Sequence, residues 1–430
     1  MSAFRLLWLI IVWMWTYATT DAQTNDSIGW RSVFNEPQLV TLIETALEHN
    51  ADLRTANLNV EQTEAQLKAA RLALLPSLTV GAEGQLSKTK GQATQKTYNV
   101  PLTMQWEVDL AGRLRGEKRA AVATYWSTAE TERAVRLQVI AAVASSYYTL
   151  VMMREQLAVT RQNAENARQT VETLEALKEV GMQNEAAVSA ARAAYLNVAA
   201  QEKTMLQQIK AAENAMVVLV GKQVEVNLTD KAASPIFTSN SSYSIEILAN
   251  RPDVKAAEYA LKAQMAQVDV ARAAFYPQLT ISASAGWTNN VGEIVNPGQM
   301  LLNAIGSLVQ PLFNKGQNRA NLRIAKARQE QALVAFNQAL LVAGAELSDA
   351  LTACLLSSER LALRQQEVAA AERAYGVSKD VMQNSSATYL EVLTAQQTLL
   401  QSRLSLASDQ FDLVQGKINL FKALGGYIKK

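Results

Sequence analysis

The side chains that most often carry out chemistry in proteins are scarce in this chain. Its 430 residues include one cysteine, Cys354, and one histidine, His49. A single cysteine cannot form a disulfide within the chain, and one histidine cannot complete a Cys/His metal cluster. The sequence also lacks a Gly-rich phosphate loop and a nucleophile grouped with a base. We therefore predict no enzymatic activity, no metal and no cofactor, with Cys354 a small buried thiol and His49 a surface imidazole.

The composition favours long helices. The chain is rich in Ala and Gln and has 18 glycines and 8 prolines, so few residues interrupt a helix. The net charge is +2, with basic and acidic residues interspersed, which leaves no basic stripe for a polyanion. Nucleic acid is therefore not expected as a partner.

The N-terminus differs from the rest of the chain. Arg5 precedes an apolar run over residues 6–15, and Thr20 and Ala22 supply small residues for cleavage. This pattern predicts a secretory signal peptide over residues 1–22. The alternative is an uncleaved membrane anchor, but the run is shorter than the ~20 residues that a spanning helix needs. No other run approaches that length, so we expect the mature chain to enter a membrane only as a β-barrel.

One stretch of the chain occurs twice. Residues 52–82 align without a gap to residues 253–283, and eleven of the aligned positions are identical. A period this long indicates a duplicated architecture and not a solenoid of short repeats. We predict two structural repeats, 23–221 and 244–430, joined by a crossover segment over 222–243. Residues matched by the duplication include Pro76 with Pro277 at an offset of 201, and Gly112 with Gly316 and Gly221 with Gly425 at an offset of 204.

Each repeat changes from helical to strand periodicity at a proline. Pro76 and Pro277 end helices, and alternating patterns then predict β-hairpins over 77–110 and 278–313. The second strand of the second hairpin, near 301–313, alternates least clearly. Gly112 and Gly316 close the hairpins, and helices of about 65 residues, roughly 100 Å long, follow them. The predicted helices run over about 39–75, 113–181, 184–219, 244–276, 316–382 and 388–424.

The strand from Tyr98 to Leu110 alternates strictly between apolar and polar residues. Its pattern fits a hairpin over a soluble core, or a hairpin with one face in lipid and the other lining water. The predicted secretion of the chain and the aromatic Tyr98 and Trp106 on the apolar face favour lipid. Pro101 stands on the polar face in mid-strand and predicts a bulge or bend.

Four strands per chain cannot close a barrel. Two chains would give a barrel of eight strands, and side chains would fill its interior. Three chains would give a barrel of twelve strands with an open lumen. We therefore predict a homotrimer whose strands close a barrel in lipid. The fold class is mainly α with a transmembrane β part, in which the long helices form a second cylinder below the barrel. A secreted coiled-coil rod is the alternative, and the matched Pro and Gly boundaries argue against it.

These features resemble a known family, the outer membrane efflux proteins, in particular the TolC-like channels of the NodT/OprM-like subfamily. The resemblance covers essentially the whole mature chain, and its most specific segments are Gln310 to Phe313 with Gly316, and Tyr389 to Leu393 with Ala395 and Gln396. It implies a trimer with a twelve-stranded outer-membrane barrel and a periplasmic α-barrel. It also implies a periplasmic adaptor, an inner-membrane transporter of the RND type and passive export. The outer-membrane channel of type I protein secretion is an alternative within the same family.

The resemblance also implies two sites at the periplasmic end. Val180, Gly181 and Met182 match the element that docks the adaptor, although Gly181 is in any case a helix C-cap. The second tip, Asn384 and Ser385, departs from the glycine pattern.

The second implied site is the periplasmic aperture. Glu391 falls on a position where the family places a carboxylate, and Thr394 stands at the second such position. A ring of three Glu391 side chains would favour cations and resist opening by like-charge crowding, which binding or protonation would relieve. The alternative is a solvated glutamate on a helix surface.

Because no cysteine lies near residue 22, we expect no lipid anchor and retention by the barrel alone.

Overall fold

The computed structural model describes residues 29–91, 94–223, 245–288, 299–384 and 389–426. The predicted signal peptide and residues 224–243 of the predicted crossover segment lie outside these ranges. The first repeat contains helices α1 (Trp30–Val33), α2 (Pro37–His49), α3 (Ala51–Leu72), α4 (Arg113–Glu179) and α5 (Glu185–Val220), and strands β1 (Ser77–Val80), β2 (Glu83–Ser87) and β3 (Gln95–Val108). The second repeat contains helices α6 (Ile245–Ala249), α7 (Pro252–Ala273), α8 (Gln317–Asn384) and α9 (Tyr389–Ala423), and strands β4 (Gln278–Thr288) and β5 (Gln299–Val309).

Proline and glycine set the boundaries between helices and strands. β1 begins directly after Pro76 and β4 directly after Pro277, because proline cannot donate the hydrogen bond that would continue a helix. After each hairpin, Gly112 and Gly316 have φ of 77° and 79°, a left-handed conformation that favours glycine. α4 and α8 begin at the next residue. The structure thus places all four switch residues at changes between helix and strand.

The two short helices are broken, so the prediction of single helices over 39–75 and 244–276 is wrong. The chain bends at Asn50 and at Arg251. Asn50 has a ψ of 131°, and its side chain accepts a hydrogen bond of 3.0 Å from the N–H three residues later, which caps α3. Arg251 has a ψ of 138°, because the following proline, Pro252, disfavours helical geometry at the residue before it.

Each break receives the end of a returning helix. The side-chain amide of Asn50 donates a hydrogen bond of 2.8 Å to the carbonyl oxygen of Leu219. The guanidinium of Arg251 donates one of 3.2 Å to the carbonyl oxygen of Ala423. The two contacts are equivalent under the duplication, since Arg251 lies 201 residues after Asn50 and Ala423 lies 204 residues after Leu219. A neutral side chain in the first repeat and a cationic side chain in the second therefore donate equivalent hydrogen bonds to the end of a returning helix.

The largest buried cluster surrounds these junctions. It combines α1 and α2 with the middle of α4 and the ends of α5 and α9. Trp30, Phe34, Tyr147 and Phe421 are among its fully buried side chains. Phe34 and Phe421 meet edge to face with their ring centroids 5.5 Å apart. Full burial of an apolar side chain such as Phe34 or Phe421 stabilises the fold by roughly 1.5–3 kcal/mol, so this cluster fixes the two repeats to each other near the midpoint of α4.

The helices form one layer in which short helices lie beside long ones. α3 and α5 follow each other along one side of α4, and α7 and α9 follow each other along its other side, where they also contact α8. Gly116 permits a close approach of α4 to α7, because a Cβ there would lie 2.8 Å from Cγ2 of Val270. The main contacts of α8 are with α7 and α9. The outer surface of α8 is therefore uncovered in the single chain.

The strands form one antiparallel sheet. β3 and β4 lie at its centre, β5 lies at one edge, and β1 and β2 follow each other along the other edge. The pairing separates apolar rows from polar rows on opposite faces. One row contains Val80, Leu102, Ala285 and Leu302, and the next contains Thr79, Thr103, Ser284 and Asn303. Val80, Leu102 and Leu302 are 73%, 49% and 74% exposed, so this apolar face has no cover within the chain.

At Pro101 the pairing of β3 with β1 and β2 is interrupted, but no bulge forms. A bulge or a bend was predicted here, and the prediction of a bulge is wrong. β1 pairing ends at Val80 with Leu102, and β2 pairing resumes at Glu83 with Asn99. Both strands advance by the same number of residues, whereas a bulge inserts an extra one. On the other side, Gly286 faces Pro101, and a Cβ on Gly286 would lie 2.8 Å from its Cα. The proline is therefore accommodated by an interrupted strand and a glycine.

β5 ends earlier than predicted. It spans Gln299–Val309, whereas the sequence pattern predicted a strand near 301–313. The last pair is Val309 with Gln278, the first residue of β4, so no partner residue remains beyond it. Pro311 also lacks the N–H that a further pair would need.

We expect Gly221→Ala to destabilise the fold much more than Gly181→Ala. Both glycines have positive φ, 76° and 75°, so both changes carry a backbone cost of about 1–2 kcal/mol. A Cβ at Gly221 would also lie 2.3 Å from the carbonyl oxygen of His49, whereas at Gly181 no atom lies within 4 Å. The collision should add about 1–3 kcal/mol. Equal losses of melting temperature, followed by circular dichroism in detergent, would contradict the close contact.

Candidate functional site

The first helical tip exposes two apolar side chains beside a glycine turn. α4 ends at Glu179, and Gly181 adopts a left-handed conformation. Its N–H donates to the carbonyl of Lys178 (3.0 Å), and the N–H of Met182 donates to that of Leu177 (2.8 Å), which is the Schellman pattern of a helix end. Val180 and Met182 are 69% and 72% exposed. The backbone thus holds both apolar side chains out at the end of the molecule.

Polar contacts brace this tip. Asn184 caps α5 by accepting a hydrogen bond of 2.9 Å from the N–H of Ala187. Lys178 and Glu185 form an ion pair across the turn. Their hydrogen bond raises the pKa of Lys178 and lowers the pKa of Glu185. Because both groups are exposed, the pair contributes little free energy, and its effect is to orient the two helices at the turn.

The two residues predicted to line the aperture, Glu391 and Thr394, lie on the first turns of α9, next to this tip. Glu391 is exposed in the first turn, and it makes no ion pair with any residue that the structure describes. Thr394 donates a hydrogen bond of 2.8 Å to the carbonyl of Leu390. Leu393 packs against a small cluster on α4 and α5 that includes Leu174 and Val188. The structure therefore brings the aperture helix against the hairpin that forms the first tip.

The second tip is only partly described. α8 ends at Asn384 and α9 begins at Tyr389, and the predicted site residue Ser385 lies outside the described ranges. The four switch residues lie at the opposite end of α4 and α8. These helices have 67 and 68 residues, which corresponds to roughly 100 Å at 1.5 Å per residue. The predicted residues thus form two groups at opposite ends of the molecule.

A polar seam between α4 and α9 was not predicted from the sequence. Gln396 is 6% exposed and donates a hydrogen bond of 3.1 Å to the side chain of Asn163. Farther along the same helices, Ser145 donates to Gln415 (2.6 Å). Every hydrogen-bonding group in these two contacts is uncharged. The signal was available, since Gln396 stands at helical spacing in the stripe of buried residues that includes Val392 and Leu399.

The two residues that could do chemistry lie apart from both ends. Cys354, predicted to be a small buried thiol, is half-buried, and a Cβ on Gly416 would lie 3.3 Å from its sulfur. His49 is exposed at the end of α2, as predicted. Within the described ranges, no group of three His, Cys, Asp or Glu side chains could hold a metal ion.

Comparison with known proteins gives one family. The family model described as "Outer membrane efflux protein" matches residues 42–222 and 244–426. The chain is 29% identical to the cation efflux system protein CusC of Escherichia coli O157:H7, over 94% of this chain and 89% of CusC. It is 30% identical to the probable efflux pump outer membrane protein SepC of Pseudomonas putida, over 94% of this chain and 87% of SepC.

Solved structures agree with this assignment. A crystal structure of CusC superimposes with a TM-score of 0.88 at 28% identity, covering 94% of this chain and 95% of CusC. The open-state structure of the MtrE outer membrane channel of Neisseria gonorrhoeae gives a TM-score of 0.86 at 28% identity, covering 94% of this chain and 92% of MtrE. The chain therefore belongs to the outer membrane efflux protein family, and it is an efflux channel of the outer membrane whose helices extend into the periplasm.

Proposed function

We propose that three copies of this chain form the exit duct of a tripartite efflux system. The duct passively conducts substrates from a periplasmic adaptor and an inner-membrane transporter of the RND type to the exterior. The observation that carries the proposal is the open sheet, whose apolar face and edges are uncovered in the single chain. The relatives are named for efflux, which favours this duct over a channel for type I protein secretion.

The sheet has the surfaces that a segment of a membrane barrel needs. Its apolar rows fit lipid, and its rows of Thr, Ser and Asn fit a water-filled lumen. In hydrocarbon, the unpaired N–H and C=O groups at both edges would each cost several kcal/mol. Pairing the β5 edge of one copy with the β1 and β2 edge of the next removes this cost. Three copies give twelve strands and a lumen, whereas two would give eight and a filled interior.

The uncovered surface of α8 supports the same assembly. α4 and α8 each contain an 18-residue window apolar enough to cross a membrane by composition. In the single chain, 50% of the apolar window of α4 is buried, whereas only 17% of the apolar window of α8 is buried. Val334 and Leu341 of α8 are 61% and 70% exposed. A neighbouring copy would cover this surface with the free side of its own α3 and α5, which closes the helices into a cylinder.

Electron microscopy of the full chain, extracted from the outer-membrane fraction in detergent, tests the assembly. We expect three-fold cylinders about 130 Å long, from a helical tube of ~100 Å and a barrel of about membrane thickness. Thin filaments or compact monomers in the soluble fraction would contradict the duct and favour the coiled-coil rod.

The adaptor is proposed to dock on Val180, Gly181 and Met182, with Asn384 and Ser385 forming the equivalent tip of the second repeat. The first tip supports this role because its exposed apolar side chains are held by a fixed turn, and such residues are what a partner buries. The open space around Gly181 allows a close approach by the partner backbone.

Gly181→Trp should abolish export while leaving the trimer intact. No atom of the chain lies within 4 Å of a Cβ at this position, so the indole would obstruct the partner and not the fold. Gly181→Ala is the matched control, since it carries the same backbone strain without the bulk. The readout is export in cells together with trimer formation on native gels. Export that survives the tryptophan would remove the tip from the docking site.

Glu391 is proposed to narrow the periplasmic aperture, with Thr394 one helical turn farther on. Its exposure in the first turn of α9 and its freedom from ion pairs in the described chain support this placement. Three such carboxylates around one axis would attract cations and repel one another.

Glu391→Ala should raise single-channel conductance and reduce cation preference in planar bilayers. Glu391→Gln separates charge from size: it should reduce cation preference while conductance changes less. Thr394→Val is the control that changes no charge, and its cation preference should match that of the unaltered channel. Unchanged conductance and selectivity in both Glu391 variants would show that this side chain is simply solvated.

A further inference from the structure

The two repeats differ in charge where the strands meet the long helices. Residues 107–124 of the first repeat contain four basic and three acidic residues, a net charge of +1. The corresponding residues 311–328 contain five basic residues and no acidic one, a net charge of +5. The near-neutral composition of the whole chain conceals this difference. The basic residues of the second repeat are Lys315, Arg319, Arg323, Lys326 and Arg328.

The arginines of the first repeat have acidic partners. Arg115 contacts Asp109 at 3.0 Å, and Arg119 contacts Asp269 of α7 at 3.1 Å. Their counterparts at the offset of 204 are Arg319 and Arg323. Both of these side chains are exposed.

The duplication explains why Arg319 and Arg323 have lost such partners. Phe313 stands where the first repeat has Asp109, and Lys68 stands 201 residues before Asp269. In the proposed trimer, α3 of the next copy would lie beside α8, and its Lys68 would offer Arg323 no acidic partner. Among the described residues, Arg319 and Arg323 form no salt bridge, and neither do Lys315 and Lys326.

The outward direction of these arginines follows from their counterparts. Arg113 binds Glu107, on the polar face of β3, at 2.5 Å and Glu117 at 2.6 Å, so this stripe of α4 continues the lumenal face of the sheet. Arg115 lies two residues after Arg113, and Arg119 lies two residues after Glu117, a rotation of about 200° around the helix axis in each case. They therefore follow the lipid-facing side, and the duplication gives Arg319 and Arg323 the same direction.

Their depth follows from the neighbouring residues. Leu312 and Phe313, between β5 and α8, are 92% and 85% exposed, as expected for side chains at the membrane boundary. Arg319 and Arg323 lie within the first two turns of α8, about 3 Å and about 9 Å along the helix from its first residue. Long basic side chains at this depth reach the layer of lipid headgroups.

We propose that Lys315, Arg319, Arg323 and Lys326 bind the phosphates of anionic phospholipids in the periplasm-facing leaflet of the outer membrane. Arg319, Arg323 and Lys326 share one side of α8, since their spacing is four and three residues. Guanidinium groups bind phosphate oxygens through paired hydrogen bonds. This site rests on the proposed barrel, whose outer face directs the cluster towards lipid.

The test is the affinity of the full-length protein for dioleoylphosphatidylglycerol and dioleoylphosphatidylcholine, measured by native mass spectrometry in detergent. A basic residue near an anionic surface changes binding roughly fivefold, so the double variant R319Q/R323Q should bind phosphatidylglycerol roughly 25-fold more weakly. Phosphatidylcholine binding should not change. R319K/R323K, which keeps both charges, should restore most of the affinity.

R115Q/R119Q is the matched control, because it removes two equivalent arginines that already have acidic partners. It should keep the affinity for phosphatidylglycerol. An unchanged affinity in R319Q/R323Q would overturn the proposal. So would a variant that separates into monomers but keeps its affinity, since the arginines would then join copies of the chain. Export by R319Q/R323Q should continue, so loss of lipid binding is distinguishable from failure of the duct.

Discussion

The pairing of backbone polar groups in hydrocarbon is the constraint on which this structure depends. One chain supplies a sheet with a lipid-compatible face, and the pairing of that sheet stops at β5 on one side and at β1 and β2 on the other. Water can satisfy such edges, but lipid cannot. The proposed barrel would satisfy these edges, because the sheet of each copy would pair with those of its neighbours. The uncovered side of α8 places a similar constraint on the helical part. There the single chain leaves apolar surface exposed, and not unpaired hydrogen-bonding groups.

In each repeat of the duplicated chain, two successive short helices accompany one long helix. α4 and α8 have 67 and 68 residues, and no single short helix could accompany either along its whole length. Each is matched on one side by two helices in succession, such as α3 with 22 residues and α5 with 36. Where they meet, the break at Asn50 or Arg251 supplies a donor for the last carbonyls of the returning helix. The buried cluster around Phe34 and Phe421 then holds both junctions in one place.

Residues with strong local effects were predictable from the sequence. Proline fixes where a helix cannot continue and glycine fixes where φ is positive, so the changes at Pro76, Pro277, Gly112 and Gly316 could be assigned without any knowledge of packing. The break at Asn50 was missed because apolar residues continue at helical spacing on both sides of it. Asn50 at this break binds the end of α5, which lies 169 residues away in the chain.

The candidate site was less predictable than the fold for a related reason. The turn at Gly181 depends on local residues and could be expected, whereas the place of Gln396 depends on contact with Asn163, 233 residues away. The proposed aperture is even less predictable from the sequence of one chain. The position of Glu391 relative to its own helix is local, but a ring of carboxylates is a property of several copies, and no pattern within one repeat encodes the distance between them.

Differences between the repeats identify positions where the two halves do different work. The buried junctions keep their contacts even though Asn50 became Arg251, because an unsatisfied helix end costs about as much in either repeat. At the ends of the molecule the repeats diverge. Asn384 and Ser385 stand where the first repeat has Val180 and Gly181. Arg115 and Arg119 of the first repeat have acidic partners, whereas their counterparts Arg319 and Arg323 form no salt bridge within the described residues. The proposed contacts would account for this divergence, because an adaptor at one end and lipid at the other are surroundings that are not themselves duplicated.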